Sequence, residues 1–128
     1  MGIKILWEDR SKTVMRQVYE GRWTVDDYRN AVDTTRKLLN GLGHTVHIIV
    51  DVTASARTPS NLLSVMRYVE TQVAPNQGMV VVVGADAYTQ SILSIAKRIA
   101  PRATGNTSIV NSLEDARAMI GRTPVIPA

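Results

Sequence analysis

Two nearly continuous runs of apolar, mostly β-branched residues constrain the fold of this chain most strongly. They span residues 45–51 and 79–83. A strand with one face in water alternates apolar and polar residues, whereas a central parallel strand that is covered on both faces reads as a continuous apolar run. A polar loop and then apolar residues at helical spacing follow each run. The two segments therefore predict βα units in a largely parallel sheet.

Three further strands are predicted on either side of these two. Residues 3–7 and 13–19 have strand composition and are joined by a polar turn, so we expect an antiparallel hairpin at one edge of the sheet. Its exposed edge would allow a homodimer by strand pairing, although nothing in the sequence requires one. A short strand is also predicted over residues 107–110.

Four helices are predicted from capping residues and apolar spacing. Ser, Thr and Asp favour the position just before a helix because their side-chain oxygens accept bonds from its first free N–H groups. The helices are expected over residues 24–40, after Thr58-Pro59, after Asp86 and after Ser112.

The predicted fold class is α/β, with a mixed, mostly parallel five-stranded sheet, an N-terminal antiparallel hairpin and four helices on the sheet faces. The element order is β-β-α-β-α-β-α-β-α. A chain of 128 residues has the usual size of one domain. We therefore expect a single domain over residues 1–122 and a C-terminal tail over 123–128, which is too rich in proline for a helix.

Composition excludes several classes of function. The chain has no cysteine, which excludes a thiol nucleophile, a disulfide framework and cysteine-ligated metal sites. Its 15 basic and 11 acidic residues are scattered along the sequence, so no nucleic-acid partner is expected. There is no apolar stretch of the roughly 20 residues that span a bilayer, and no signal peptide is recognised. We expect a cytoplasmic protein without a membrane span.

The loop after the first apolar run is the most suggestive segment for function. It contains Asp51, Arg57, Thr58 and Ser60 and leads into a helix start. Free N–H groups at a helix start and a forked arginine donor can bind an anion or phosphate, which makes these four residues the candidate anion-binding or phospho-acceptor set. The alternative is that Thr58 or Ser60 only caps the helix and Asp51 accepts bonds from loop N–H groups.

No catalytic or metal site is predicted elsewhere. His44 and His47 are three residues apart at a strand entrance, so they point to opposite faces, and His47 is interpreted as a hydrogen-bonded core residue. The loop at residues 84–88 lacks the glycine pattern of nucleotide-binding motifs. Trp7 and Trp23 are interpreted as residues at the edge of the core, with a place in a ligand pocket as the alternative. We expect a non-enzymatic protein without a metal or other cofactor.

Four segments together resemble small α/β proteins of the SpoIIAA-like, STAS type. They are residues 21–28, 46–51, 59–63 and 112–117, and the likeness extends over about residues 3–121. The resemblance implies an anti-sigma factor antagonist, a non-enzymatic partner that a kinase switches by phosphorylating a Ser or Thr at the start of the helix after the central strand. By position that residue would be Thr58 or Ser60, with Pro59 where the family has the acceptor hydroxyl.

Two functions are expected on these grounds. The first is a regulatory protein-interaction module whose working surface is residues 51–63 and whose partner is a protein, such as an anti-sigma-type kinase. The second is a small-ligand or lipid-binding domain with an apolar pocket, because SpoIIAA-like folds also resemble the CRAL-TRIO lipid-binding domains. A large apolar cavity would favour the second function, and a fully packed core would exclude it.

Overall fold

A computed structural model describes residues 2–121, so the predicted tail at 123–128 lies outside the described residues. Five strands form one sheet, and they are β1 (Gly2–Trp7), β2 (Val14–Glu20), β3 (Val46–Asp51), β4 (Gln77–Val83) and β5 (Thr107–Val110). The helices are α1 (Val25–Asn40), a 3-10 helix (Leu62–Val65) that leads into α2 (Met66–Thr71), α3 (Ala87–Ile99), α4 (Pro101–Thr104) and α5 (Leu113–Gly121).

The strands lie side by side in their order along the chain, from β1 to β5. β1 pairs with β2 antiparallel, and every other neighbouring pair is parallel. This arrangement confirms the predicted mixed sheet with an N-terminal hairpin. The two continuous apolar runs are the third and fourth strands, and β3 lies in the centre with two neighbours on each side.

The prediction of four helices was wrong, because the described residues contain five α-helices and a 3-10 helix. Pro101 follows the end of α3, where a proline is a usual stop signal. It is also the first residue of α4, where its fixed φ suits a helix and its missing N–H costs nothing. The segment after Thr58-Pro59 begins as a 3-10 turn at Leu62 and becomes α-helical only at Met66.

The predicted caps of three helices are confirmed. Thr24 and Asp27 form a reciprocal capping box at the start of α1, in which each side chain accepts a bond from the other residue's N–H. Asp86 accepts a bond from the N–H of Thr89 at 2.8 Å, and Ser112 accepts one at 3.1 Å at the start of α5. These bonds satisfy N–H groups that a helix start leaves free, which explains why these boundaries were readable in the sequence.

The two faces of the sheet are covered differently. On one face Ile49, Val81 and Val83 pack against Ala116 of α5. On the other face the side chains of β2 and β3 that alternate with these, including Tyr19 and Ile48, meet the layer formed by α1 to α4. Within residues 2–121, one helix therefore covers one face and the remaining helices cover the other.

His47 is a hydrogen-bonded histidine, as predicted, and its partner lies at a bulge in the pairing of β3 and β4. Val46 pairs with Gln77 but Ile48 pairs with Val80, so β4 holds one extra residue in this interval. The N–H of Met79, within this bulge, donates to Nδ1 of His47 at 3.0 Å. The bond assigns the proton of the neutral ring to Nε2, and it gives the bulged N–H a partner from a side chain of the neighbouring strand in place of a backbone carbonyl.

Candidate functional site

Two residues of the predicted anion-binding set, Asp51 and Thr58, form hydrogen bonds with neighbouring groups. Asp51 accepts a hydrogen bond from the N–H of Thr53 at 3.0 Å, which agrees with the alternative that it accepts bonds from loop N–H groups. Thr58 is only 4% exposed, and its hydroxyl lies 2.6 Å from that of Thr89 on α3. A kinase would therefore reach Thr58 only after local opening of this loop.

Arg57 and Ser60 are the exposed members of the set. The guanidinium of Arg57 lies over the ring of Tyr88, 4.1 Å from its centroid. It is also close to Asp86, whose pKa is lowered by its bonds to Thr89 and, more weakly, by Arg57. An anion would thus have to compete with the carboxylate of Asp86. Ser60 makes no hydrogen bond within residues 2–121.

Neither Thr58 nor Ser60 caps the following helix. The residue before the 3-10 helix is Asn61, and no side chain in the described part of the chain caps the first N–H groups of this helix. The structure thus places Asp51, Arg57, Thr58 and Ser60 along one loop but does not join their polar atoms into one cluster. The nearest polar partners of Arg57 and Thr58 come from the start of α3 instead.

A cavity of about 140 Å³ lies between the sheet and the layer of α1 to α4. Its floor is formed by side chains of β2, β3 and β4, and its roof by α1, the 3-10 helix, α2 and α3. Val50 and Val80 illustrate its effect on packing. Both lie on central strands and face the helices, yet neither is fully buried, because each borders the cavity. The core of this face is therefore not fully packed.

The centre of the cavity contains a short chain of polar groups. Gln17 on β2 donates through its amide nitrogen to the hydroxyl of Thr35 at 2.9 Å, and its carbonyl oxygen accepts the hydroxyl of Tyr19 at 2.9 Å. The hydroxyl of Thr35 in turn contacts the sulfur of Met15 at 3.6 Å. Burial raises the pKa of Tyr19 well above its usual range, with a further contribution from Tyr28, so its hydroxyl stays protonated and remains a donor.

Aromatic side chains form the wall at the end where the parallel strands finish. Trp23 is 6% exposed and packs edge-to-face on Tyr19 at a centroid distance of 5.0 Å. Its indole N–H donates to Ser55 at 2.8 Å. Burial raises the pKa of Tyr28 to about 12. The hydroxyl of Tyr28 has no hydrogen-bond partner among the described residues.

The opposite end of the cavity is polar and partly exposed. Gln77 and Thr107 are the first residues of β4 and β5, and Gln72 directly follows α2. Arg36 reaches the cavity from the C-terminal half of α1. All four residues are partly accessible to solvent, and at the other end Tyr28 is partly accessible too, whereas Trp23 and Thr58 are buried. The polar, accessible end lies where the parallel strands begin.

The sequence contained only faint signals for this cavity. The alternative interpretation of Trp23 as a pocket residue agrees with its position in the wall. Gln17 and Thr35 occupy inward-facing positions of a strand and a helix, and a polar residue in such a position often lines a site. Arg36 was counted among the scattered basic residues, because helical periodicity does not show whether a long side chain reaches inward.

Within residues 2–121 no group of acidic or histidine side chains is arranged to hold a metal ion. In the same part of the chain no helix is long and apolar enough to cross a membrane.

Taken together, the fold and the site define an α/β protein with a five-stranded mixed sheet and a mostly apolar, partly open cavity. No protein-family model matches the chain, and no curated protein matches it either. The NMR structure of the protein TM1081 is similar in fold, with a TM-score of 0.61 and 14% sequence identity over 94% of this chain and 88% of that chain. At this identity the likeness shows the fold alone.

Proposed function

We propose that this protein binds a small apolar molecule in the cavity between the sheet and α1 to α4. The cavity itself is the observation that carries the proposal. Protein interiors are close-packed and hold few voids larger than a water molecule. At roughly 24 cal/mol per Å³, a closed void of 140 Å³ would cost about 3 kcal/mol of packing, and this value is an upper bound here because one end is accessible to solvent. A ligand that fills it would recover part of this free energy.

The size and lining of the cavity support a ligand with an apolar body. An engineered apolar cavity of ~150 Å³ in another protein stays dry and binds benzene. The cavity here has a similar volume, and Val, Leu, Ile, Met, Ala and aromatic side chains form most of its wall. Gln17 and Thr35 already satisfy each other, so they do not demand a polar ligand at the centre. The proposed function is ligand binding without catalysis.

The proposal can be tested with the tryptophan in the wall. The chain has two tryptophans, so Trp7→Phe leaves Trp23 as the sole reporter. Titration with octan-1-ol should change the emission of Trp23 saturably. It should also raise the free energy of unfolding by about 2.7 kcal/mol at a 100-fold excess over Kd. Val80→Phe should fill the cavity and weaken this binding. Val18→Phe, on the opposite face of the same sheet, is the matched control.

Two results would exclude ligand binding at this site. One is the lack of any saturable change in the emission of Trp23. The other is equal affinity of the Val80→Phe and Val18→Phe variants for octan-1-ol, which would place the bound alcohol elsewhere on the protein. Near-ultraviolet circular dichroism of both variants would show that each retains its folded core.

A second candidate function is the regulatory module that the STAS-type resemblance implies, with residues 51–63 as the working surface. The accessible, unbonded hydroxyl of Ser60 favours it, since a phospho-acceptor has to enter a kinase site. In this proposal an anti-sigma-type kinase is the partner in the cytoplasm, and phosphorylation adds nearly two negative charges to the loop. Intact-mass measurement after incubation with such a kinase should show one phosphate, which Ser60→Ala removes. An unmodified mass would exclude the phosphoswitch.

A further inference from the structure

Arg36 differs from the other arginines in the described part of the chain. Most arginines there are exposed, and only Arg16 and Arg36 are partly buried. Arg16 lies 3.5 Å from a carboxylate oxygen of Glu8. Arg36 forms no ion pair or hydrogen bond with any residue from 2 to 121. None of its nitrogen atoms is fully buried, so the guanidinium is hydrated in the protein alone and is available to an anionic group of a ligand.

The nearest acidic residue along the helix is already engaged. Asp33 lies one turn before Arg36 on α1, a spacing that often allows an ion pair. Its carboxylate instead accepts the hydroxyl of Tyr68 at 2.5 Å, and the hydrogen bond to this carboxylate raises the pKa of Tyr68. The guanidinium of Arg29, four residues before Asp33 on α1, lies over the ring of Tyr68, 4.5 Å from its centroid. Asp33 thus belongs to a separate cluster.

The wall of the cavity also offers no counter-charge. Among the described residues that line it, Arg36 is the sole charged side chain, and none is Asp or Glu. The residues at the same end, Gln72, Gln77 and Thr107, are neutral polar groups that can assist an anion but cannot neutralise a cation. A negative group on the ligand would therefore supply the counter-charge that the described wall does not.

We infer that the ligand is a monocarboxylate whose apolar body lies in the cavity and whose carboxylate binds Arg36 at the accessible end. This inference rests on the proposed ligand-binding function and specifies the chemical class. A planar guanidinium matches a carboxylate with two parallel N–H···O bonds. One arginine at a partly exposed end balances a single negative charge, and it leaves the apolar end of the ligand directed toward the aromatic wall of Tyr19, Trp23 and Tyr28.

The test compares three probes that share one apolar body. Octanoate, octan-1-ol and octylammonium are titrated into the Trp7→Phe protein, with the emission of Trp23 as the signal. Arg36→Gln removes the charge while keeping a good helix former. Arg67→Gln, at an exposed arginine of α2, is the matched control. We expect Arg36→Gln to weaken octanoate about 10- to 100-fold and to leave octan-1-ol unchanged. Octylammonium should bind the unaltered Arg36 protein worst.

The outcomes separate this inference from the function on which it rests. If octan-1-ol binds and octanoate has the same affinity for Arg36→Gln as for the parent, the cavity is a ligand site but the carboxylate assignment is wrong. Equal loss of both probes in Arg36→Gln would also overturn it, because it would show a general structural effect. If neither octan-1-ol nor octanoate binds the parent protein, the proposed function itself fails, and this inference fails with it.

Discussion

Replacement of Gly78 by alanine should destabilise the protein because the space beside this residue is occupied by a histidine ring. A Cβ at Gly78 would lie 2.5 Å from Nδ1 of His47 and 2.8 Å from Cγ2 of Thr45. Real Cβ atoms do not approach other heavy atoms this closely, so the ring would have to move. The same Nδ1 accepts the N–H of Met79 at 3.0 Å, and this bond would be lost.

The expected cost follows from three terms. An N–H left without its partner costs about 1–3 kcal/mol, and overpacking of an ordered site about 1–3 kcal/mol. Against this, alanine restricts the unfolded chain and recovers about 0.4–1 kcal/mol. We expect Gly78→Ala to lower the free energy of unfolding by about 2–4 kcal/mol. With an m-value near 2 kcal/mol per M, the urea midpoint should fall by about 1–2 M.

A double-mutant cycle with His47→Ala tests the reasoning directly. Without the ring, the added methyl group meets only Thr45, and the Met79 bond is already absent. Gly78→Ala should then cost less than about 1 kcal/mol in the His47→Ala background, which gives a coupling energy of about 1–3 kcal/mol. Additive effects of the two substitutions in urea denaturation would refute the proposed clash. Val18→Ala, four residues along β2 from Val14, the strand partner of His47, should add to Gly78→Ala without coupling.

Two further predictions concern elements that were recognised in the sequence. Thr24→Ala removes one half of the capping box of α1 and should lower the free energy of unfolding by about 0.5–2 kcal/mol; an unchanged urea midpoint would contradict the role of this cap. Burial lowers the pKa of His47, so the unfolded chain takes up a proton first as the pH falls below about 6.5. The free energy of unfolding should therefore decrease as the pH falls from about 6.5 to the lowered pKa of His47 in the folded state. His47→Gln should reduce this slope, and identical pH profiles would argue against it.

The sequence predicts the sheet well because its signals are local. The continuous apolar runs that become β3 and β4, and the caps at Thr24 and Asp86, each depend on residues close together in the chain. The extra helix α4 was missed because Pro101 both ends one helix and begins another, and a proline after a helical pattern reads mainly as a stop signal. The 3-10 start at Leu62 was missed for a related reason, since its apolar residues fit an α-helical spacing equally well.

The cavity, by contrast, depends on contacts that no local pattern records. Gln17, Thr35 and Trp23 come from different elements, and whether the space between them is filled depends on side-chain volumes across the whole layer. The unpaired state of Arg36 depends on Asp33 having Tyr68 as a partner, which lies on another helix. Sequence reasoning could name an apolar pocket as an alternative, but only the packed structure locates it and assigns its charged end.

The contact between Thr58 and Thr89 joins the two regions for which functions are proposed. Thr58 lies within the loop that carries Ser60, and its side chain also lines the cavity, as does that of Thr89. A ligand in the cavity that favours one arrangement of this hydroxyl pair would change the affinity of the loop for its partner. Because coupling between two binding sites is reciprocal, the partner would change the affinity of the cavity for its ligand by the same factor. A pair of threonines thus gives the fold a route by which an internal ligand could control an external surface.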